Sequence, residues 1–183
     1  MNHPEHQFTH PVRLASIDHA TAIASVLRGA FAEYERLYTP EAFAATTPTP
    51  EQLRDRWNEG PVWIAVQANC IVGTIAAVPK GPALYVRSMG LLPQARGQGL
   101  GVLFLERVEC YARQQNYTRL FLSTTPFLHR AIRLYERFGF ERTNDGPHEL
   151  HGTPLFTMEK SLLPGHPAYH GIIPLATSSR RMR

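Results

Sequence analysis

The sequence lacks several features that would assign it to a common class of protein. No apolar run approaches the ~20 residues of a membrane-spanning helix, and Met1–His10 contains no apolar signal-peptide core. The chain has two cysteines, neither with the spacing of a metal ligand, and its nine histidines are dispersed, with no His-x-x-x-His pair on a predicted helix. We therefore expect a cytoplasmic protein with no metal site, in which Cys70 and Cys110 are buried free thiols.

Length and charge narrow the possibilities further. The 183 residues are 43% hydrophobic and 19% charged, which is typical of one globular domain. The net charge of +4 suits an anionic ligand, but the basic residues are scattered apart from an arginine-rich end, which argues against a nucleic-acid partner. We expect an N-terminal tail (1–11) and a domain (12–163). Because the composition changes after Leu163, we also expect a C-terminal extension (164–183).

A glycine-rich turn is the most informative segment of the chain. The apolar run Ala83–Leu92 predicts a strand, a turn follows at Pro93–Arg96, and three alternating glycines then open an amphipathic helix: Gly97, Gly99 and Gly101. The first N–H groups of a helix are unpaired and point outward, and the helix dipole favours negative charge there. Glycines let a phosphate approach the backbone closely. The segment therefore predicts a site for a phosphate-bearing ligand.

Two common phosphate motifs are excluded. The glycines are not followed by Gly-Lys-Ser/Thr, so the segment is not a P-loop. The dinucleotide fingerprint needs a glycine where this chain has Val102, and an acidic residue about twenty positions on, where it has Leu120.

Hydrophobic periodicity predicts the order of the other elements. A helical stripe from Ile23 to Tyr34 is expected to be capped by Asp18, and two more helices begin at Thr39 and Thr49, separated by a loop over Ala44–Pro48. A last helix carries an apolar stripe that ends at Gly139. The predicted strands besides Ala83–Leu92 are Val12–Ala15, Val62–Gln67, Cys70–Val78, Arg119–Ser123, Phe140–Arg142 and Leu155–Glu159.

Two motifs carry a resemblance to a known family. Arg96-x-x-Gly99-x-Gly101, preceded by Pro93, resembles the coenzyme-A signature of the GCN5-related N-acetyltransferases (GNAT), and Ala131–Phe140 resembles that family's Ala-x-x-Leu-Tyr-x-x-x-Gly-Phe. The order of strands and helices matches as well. The resemblance covers Val12 to Leu163. It implies an α/β (α+β) single domain with a central mixed, mostly antiparallel, splayed β-sheet flanked by helices.

The resemblance also implies a ligand and a reaction. The pantetheine arm of acetyl-coenzyme A (acetyl-CoA) would lie between the strands that begin at Ala83 and Arg119, against the backbone near Met89 and Leu91. Arg96, Gly99 and Gly101 match the cofactor motif. The pyrophosphate would accept hydrogen bonds from five backbone N–H groups: Gly97, Gln98, Gly99, Leu100 and Gly101. The implied reaction is acetyl transfer to a primary amine, by direct attack in a ternary complex.

Tyr135 is at the family's position for a general acid that protonates the departing thiolate. From its spacing alone it is equally a core aromatic on a helical stripe. The general base is unknown, because the strand before the glycines has Arg87 and Ser88 where many relatives have a carboxylate. Leu128 also replaces an asparagine that often contacts the cofactor. Four later residues are open as candidates for the base: Glu141, His148, Glu149 and His151.

The acceptor amine is not identified by the sequence. In this family acceptor choice is set by the segments that correspond to Tyr34–Pro50 and Thr143–Thr153, where Tyr34 and Tyr38 are candidates to line a pocket or to belong to the core. The alternative function is a non-catalytic acyl-CoA-binding sensor or partner module. A monomer and a homodimer both remain open, and no membrane partner is expected.

Overall fold

The computed structural model describes residues 11–163. The predicted N-terminal tail up to residue 10, and the whole predicted extension 164–183, lie outside the described residues. The domain boundaries proposed from the sequence therefore stay predictions.

The strands form one large sheet and one small hairpin. In chain order they are β1 Val12–Leu14, β2 Val62–Gln67, β3 Cys70–Lys80, β4 Ala83–Leu91, β5 Arg119–Thr124, β6 Glu141–Thr143, β7 Glu149–Leu150, β8 Thr153–Pro154 and β9 Phe156–Ser161. Seven of them lie in the order β1-β2-β3-β4-β5-β9-β6, and β7 pairs with β8. Within the described residues the large sheet is antiparallel except for the pair β4–β5. The mixed, mostly antiparallel sheet is confirmed.

Among residues 11–163, five α-helices flank the sheet: α1 Ala20–Phe31, α2 Pro40–Thr46, α3 Pro50–Asp55, α4 Leu100–Gln114 and α5 His129–Arg137. The two helix starts predicted from Thr-Pro pairs are confirmed. At α3 the Thr49 hydroxyl accepts a hydrogen bond from the Gln52 N–H at 3.3 Å, and the Gln52 side chain accepts one from the Thr49 N–H at 2.9 Å. Gly139 follows α5 with φ +92°, as expected of a residue that ends a helix.

The helices bury apolar side chains on both faces of the sheet. On one face, α4 and α5 pack over a core that includes Phe104, Leu105, Leu120, Leu122 and Phe140. On the other face, α1 packs through Ile23 and Leu27 against Ile64 of β2. The two faces meet different helices, so the direction of each β4 side chain decides which helix it contacts.

Some local predictions were wrong. Ser16, not Asp18, begins the first helical segment: its N–H donates to His19 Nδ1 at 2.9 Å and the chain enters a 3-10 turn before α1. The helix predicted over Ile23 to Tyr34 is an α-helix only as far as Phe31, and the chain then continues as the 3-10 helix Ala32–Leu37. The predicted loop over Ala44–Pro48 is shorter, because α2 continues to Thr46.

Both cysteines were predicted to be buried and both are exposed. Cys110 lies two residues after the buried Val108, and about 200° of helical rotation places it on the outer face of α4. Cys70 follows the turn residues Ala68 and Asn69, which have φ +45° and +62°, at the exposed end of the β2–β3 hairpin. Cysteine is usually among the most buried residue types, but the positions of these two in the helix and the hairpin outweigh that tendency.

Candidate active site

β4 and β5 separate after three residue pairs. Residues Ala83 to Tyr85 lie beside Arg119 to Phe121 in parallel register. Beyond Tyr85, β4 continues to Leu91 paired with β3, while β5 continues paired with β9. One edge of β4 therefore faces a gap, and such an edge can take an extended ligand as an added strand. The predicted splay of the sheet is confirmed.

A β-bulge lies in the open part of β4. Between Arg87 and Gly90, two residues of β4, Ser88 and Met89, oppose the single residue Ile75 of β3. Ser88 has φ +50°, a conformation that few residues other than glycine adopt. Bulges of this kind redirect side chains near functional sites.

The bulge changes which β4 side chains face α4 and α5. Before it, Val86 belongs to the core under α4. After it, Met89 and Leu91 pack against that same core, although a regular strand would turn Ser88 and Gly90 to this face. Gly90 instead faces α1, where a Cβ on it would lie 3.1 Å from the Cβ of Ala30. Two predicted cofactor contacts, Met89 and Leu91, thus lie on the face that carries α4 and α5.

The glycine-rich turn forms an open cradle at the start of α4. Gly97 and Gly99 have φ +77° and +79°, and a Cβ on either would meet no atom within 4 Å. These glycines are therefore needed for backbone conformation and not for internal packing. The first internal bonds of α4 run from Val102 and Leu103 to the Gly99 carbonyl, so the N–H groups just before them are directed outward. The arrangement fits an anionic group.

The next two residues anchor this turn. Leu100 is buried in the core beneath α4. A Cβ on Gly101 would lie 2.8 Å from Leu134 Cδ2, so Gly101 allows α4 to approach α5. The third glycine of the motif has a packing role in addition to any backbone contact with a ligand.

The Arg96 side chain points to the end of α1. Its Nη2 donates to the Ala30 carbonyl at 2.8 Å, its Nη1 donates to the Glu33 carboxylate, and its Nε donates to the Leu91 carbonyl at 3.2 Å. The guanidinium thereby joins the end of β4 to the C-terminal end of α1, where a positive charge is favourable. These contacts make Arg96 a residue that positions the turn. The match of Arg96 to the cofactor motif stays a prediction.

Gln98 is held by two side-chain hydrogen bonds. Its Nε2 donates to the Gln94 carbonyl at 3.0 Å, and its Oε1 accepts from Gln67 Nε2 at 2.8 Å. The amide is turned toward the end of β2, which leaves recognition of a ligand at this position to the backbone N–H.

Tyr135 lies at the inner side of the gap. It is 7% exposed, and its hydroxyl donates to the Met89 sulfur at 3.6 Å. Burial, followed by the nearby Tyr38 and Tyr85, raises the pKa of Tyr135 far above its usual value near 10. The phenol therefore stays protonated at every physiological pH. Of the two interpretations left open by the sequence, burial shows that Tyr135 is a core aromatic, and its role as general acid stays a prediction.

The four proposed candidates for the base lie on the surface. Glu141 of β6, His148, Glu149 and His151 are all exposed. The His151 carbonyl accepts a hydrogen bond from the Thr39 hydroxyl at 2.7 Å, so this residue has a structural contact through its backbone.

Sequence reasoning did not identify Glu59. It lies in the 3-10 turn Trp57–Glu59, and its carboxylate forms an ion pair with Arg87 Nη2 at 2.7 Å. The protein thereby brings a carboxylate to β4 from another element, although β4 itself has none in its open part. Arg87 at the expected position of an acid was the one signal in the sequence that could have pointed to such a partner.

The two segments expected to set acceptor choice contact each other. The Thr39 N–H donates to Thr153 Oγ1 at 2.9 Å, which ties the start of α2 to the β7–β8 hairpin. Beside this link, Tyr38 is buried and its ring lies edge-on to Phe127 at 4.9 Å between centroids, while Tyr34 stacks on Phe127 at 6.3 Å. Tyr38 is thus a core residue between these two segments, and Tyr34 lies half-buried beside it.

Known proteins resemble the chain in sequence. A model of the Acetyltransferase (GNAT) family matches residues 31–140, more than half of the 183-residue chain. "Uncharacterized N-acetyltransferase YjgM" of Escherichia coli K12 is 29% identical over 136 residues, which are 71% of this chain and 81% of that protein. "Probable N-acetyltransferase family 8 member 5" of Mus musculus is 37% identical over 90 residues, 46% of this chain. The match spans only 40% of the mouse protein.

Solved structures resemble it in fold. The PaiA N-acetyltransferase of Thermoplasma acidophilum, solved in complex with coenzyme A, superposes with a TM-score of 0.70 at 18% identity, over 82% of this chain and 97% of that one. None of the helices among residues 11–163 is long and apolar enough to cross a membrane. The matched family model, together with this fold, shows that the chain belongs to the GNAT family of acetyltransferases, whose enzymes use acetyl-CoA as co-substrate.

Proposed function

We propose that this protein is an acetyl-CoA-dependent N-acetyltransferase that transfers an acetyl group to a primary amine by direct attack in a ternary complex. The observation that supports this most is spatial. The open edge of β4 ends at the glycine cradle of α4, and the Tyr135 hydroxyl contacts the bulged residue Met89 beside that edge. A phosphate site, a strand edge and a proton donor thus follow one another along a single cleft.

The residues present fit acetyl-CoA. The cradle has room for a pyrophosphate because Gly97 and Gly99 have positive φ and no neighbour within 4 Å of a Cβ position. We assign the pyrophosphate to backbone N–H groups of Gly97, Gln98, Gly99, Leu100 and Gly101, and the pantetheine to the backbone near Met89 and Leu91. Arg96 keeps the cradle in place. When bound, acetyl-CoA supplies the thioester that is cleaved.

The reaction exchanges one bond for another. The amine nitrogen bonds to the acetyl carbonyl carbon and the carbon–sulfur bond breaks. One proton leaves the nitrogen and one arrives at the sulfur. An alkylammonium ion has a pKa of about 10.4 and must first lose a separate proton to give the neutral amine that attacks. Tyr135 stays protonated, and we assign it as the donor to the sulfur. The group that takes the amine proton is unassigned.

The non-catalytic acyl-CoA-binding module remains the second candidate. Two observations favour it: β4 presents Arg87 where an acid is expected, and Glu59 is engaged by that arginine. A sensor needs the cradle and the strand edge but not a route for the amine proton, so turnover separates the two functions.

Two measurements test the proposal. Acetyl-CoA at a hundred times its dissociation constant should stabilise the protein by about 2.7 kcal/mol in a thermal-shift titration. Release of free thiol should then depend on an added amine. No shift at millimolar acetyl-CoA would refute both candidate functions, whereas a shift without turnover on any amine would favour the sensor. The cytoplasmic location and the monomeric or dimeric state stay predictions.

A further inference from the structure

A pocket containing two arginines lies on the α1 face of the sheet, beside the bulge of β4. We call it the arginine pocket. Its polar members are Arg56, Thr74, Arg87 and Ser88, and its apolar walls are Ile23, Leu53, Trp57, Val62 and Ala76. None of these residues belongs to the acetyl-CoA site assigned above.

The pocket carries excess positive charge. Arg87 Nη2 pairs with the Glu59 carboxylate at 2.7 Å, and the Arg87 side chain is 24% exposed. Arg56 uses its Nε to donate to the Gln52 carbonyl at 3.1 Å. Burial, and then the nearby Arg87, lower the pKa of Arg56. Two guanidinium groups thus lie near one carboxylate, which pairs with Arg87, and the three groups together have a net charge of about +1 in a partly buried place.

Two buried polar atoms of the pocket have no hydrogen-bond partner among the described residues: Arg87 Nε and Thr74 Oγ1. Thr74 is fully buried. A buried donor left without an acceptor is costly, more so on a charged group. A ligand with acceptor oxygens would relieve this cost, and apolar walls would strengthen its attraction to the guanidinium groups.

The pocket and the Tyr135 contact lie at neighbouring residues of β4. Ser88 lines the pocket, and the next residue, Met89, contacts the Tyr135 hydroxyl on the other face of the sheet. Successive residues of a strand are about 3.3 Å apart. The pocket and the cleft thus lie on opposite faces of the same short stretch of β4.

We infer that the amine acceptor carries a carboxylate, which the arginine pocket binds through Arg87 and Arg56. The inference rests on the proposed acetyltransferase function and defines its substrate class. A guanidinium offers a planar pair of N–H donors that matches the two oxygens of a carboxylate. Glu59 pairs with Nη2 of Arg87 and so orients the other N–H donors of the guanidinium group. The amine of the same molecule would then lie near Met89.

The test compares amines that differ in the carboxylate alone. The twenty L-amino acids and a set of dipeptides are assayed for thiol release beside their carboxamides, with saturating acetyl-CoA. We expect at least one carboxylate to have a KM about 10- to 100-fold below that of its carboxamide. Arg87→Gln should remove that difference, Arg56→Gln should reduce it, and Arg87→Lys should restore part of it. Arg54→Gln is the matched control, since Arg54 is an exposed arginine of α3 that contacts Glu51 and Thr21.

A second readout does not need turnover. The preferred carboxylate should raise the melting temperature of the acetyl-CoA complex in the parent protein and in Arg54→Gln, but not in Arg87→Gln. Equal KM values for carboxylates and carboxamides would refute the pocket while leaving the acetyltransferase intact. Carboxylates that give neither turnover nor stabilisation dependent on Arg87 would also refute it. Loss of acetyl-CoA binding itself would instead contradict the proposed function.

Discussion

Replacement of Gly99 by alanine separates the strain of the glycine turn from its proposed contact with a phosphate. Gly99 has φ +79° and empty space around its Cβ position. An L-residue in that conformation costs about 1–2 kcal/mol, with no clash to add. For a domain of this size the melting temperature should fall by about 2–8 °C. Binding of coenzyme A should weaken as well, because the new methyl group projects into the cradle.

The chain offers a matched control for this change. Gly81, in the β3–β4 turn, has φ +60° and also has no atom within 4 Å of its Cβ position. Gly81→Ala should cost about the same 1–2 kcal/mol of unfolding free energy. It lies at the opposite end of β4 from the cradle, so it should leave the affinity for coenzyme A unchanged.

The assay pairs urea unfolding with calorimetric titration of coenzyme A. Loss of one or two charge-assisted hydrogen bonds to the pyrophosphate corresponds to about 1.5–3 kcal/mol each, or at least a tenfold weaker Kd for Gly99→Ala. If Gly99→Ala and Gly81→Ala have equal stability and equal Kd for coenzyme A, the proposed binding of phosphate by the cradle is refuted. A Gly99→Ala protein that binds normally would show that the glycines serve the turn alone.

Three further changes test other parts of the site. Tyr135→Phe should lower kcat by about 10²–10⁴-fold in stopped thiol-release assays and leave the Kd of coenzyme A unchanged; an unchanged kcat would refute the acid role. Arg96→Gln should lower the unfolding free energy by about 1–3 kcal/mol and weaken coenzyme A binding, because the turn loses its contacts with Ala30 and Leu91; equal stability in urea would contradict this. Burial alone would raise the pKa of Glu109, but hydrogen bonds from Lys160, at 2.5 Å, and from Arg113 lower it. The ionised Glu109 carboxylate therefore stabilises the fold above the unfolded pKa near 4.3, and this stabilisation is lost as pH falls through the lower folded pKa. Urea unfolding of Glu109→Gln should therefore differ most from the parent at neutral pH and converge with it in acid.

The glycine cradle could be predicted from the sequence because its chemistry is local. Gly97 and Gly99 are the residues that adopt positive φ at little cost, and they stand where a strand ends and a helix begins. The order of elements was predictable for the same reason, since apolar periodicity and Thr-Pro starts act within a few residues. The phase of α4 could also have placed Cys110 on the outer face.

The bulge of β4 could not be predicted in this way. Ser88 is not a glycine, and nothing in the alternation of β4 marks the extra residue. The bulge nevertheless decides that Met89, and not its neighbour, lies beneath Tyr135. Its cause is tertiary: Gly90 must face α1, where a Cβ on it would lie 3.1 Å from the Cβ of Ala30, while Leu91 must pack against the core that includes Phe104.

The donor half and the acceptor half of this cleft are therefore specified in different ways. Backbone N–H groups bind the same phosphate wherever a glycine turn meets a helix, so a short motif suffices for the donor half. The acceptor half that we propose depends on side chains from distant elements: Thr39 contacts Thr153 across 114 residues, and Arg87 of β4 pairs with Glu59 of a 3-10 turn. A motif cannot encode such pairs, because each partner acquires its role only when the other is placed beside it. This is why the sequence alone predicts acetyl-CoA but not its amine. It is also why Arg87, which looked like a missing base, becomes informative once its unpaired Nε and its neighbour Arg56 are known.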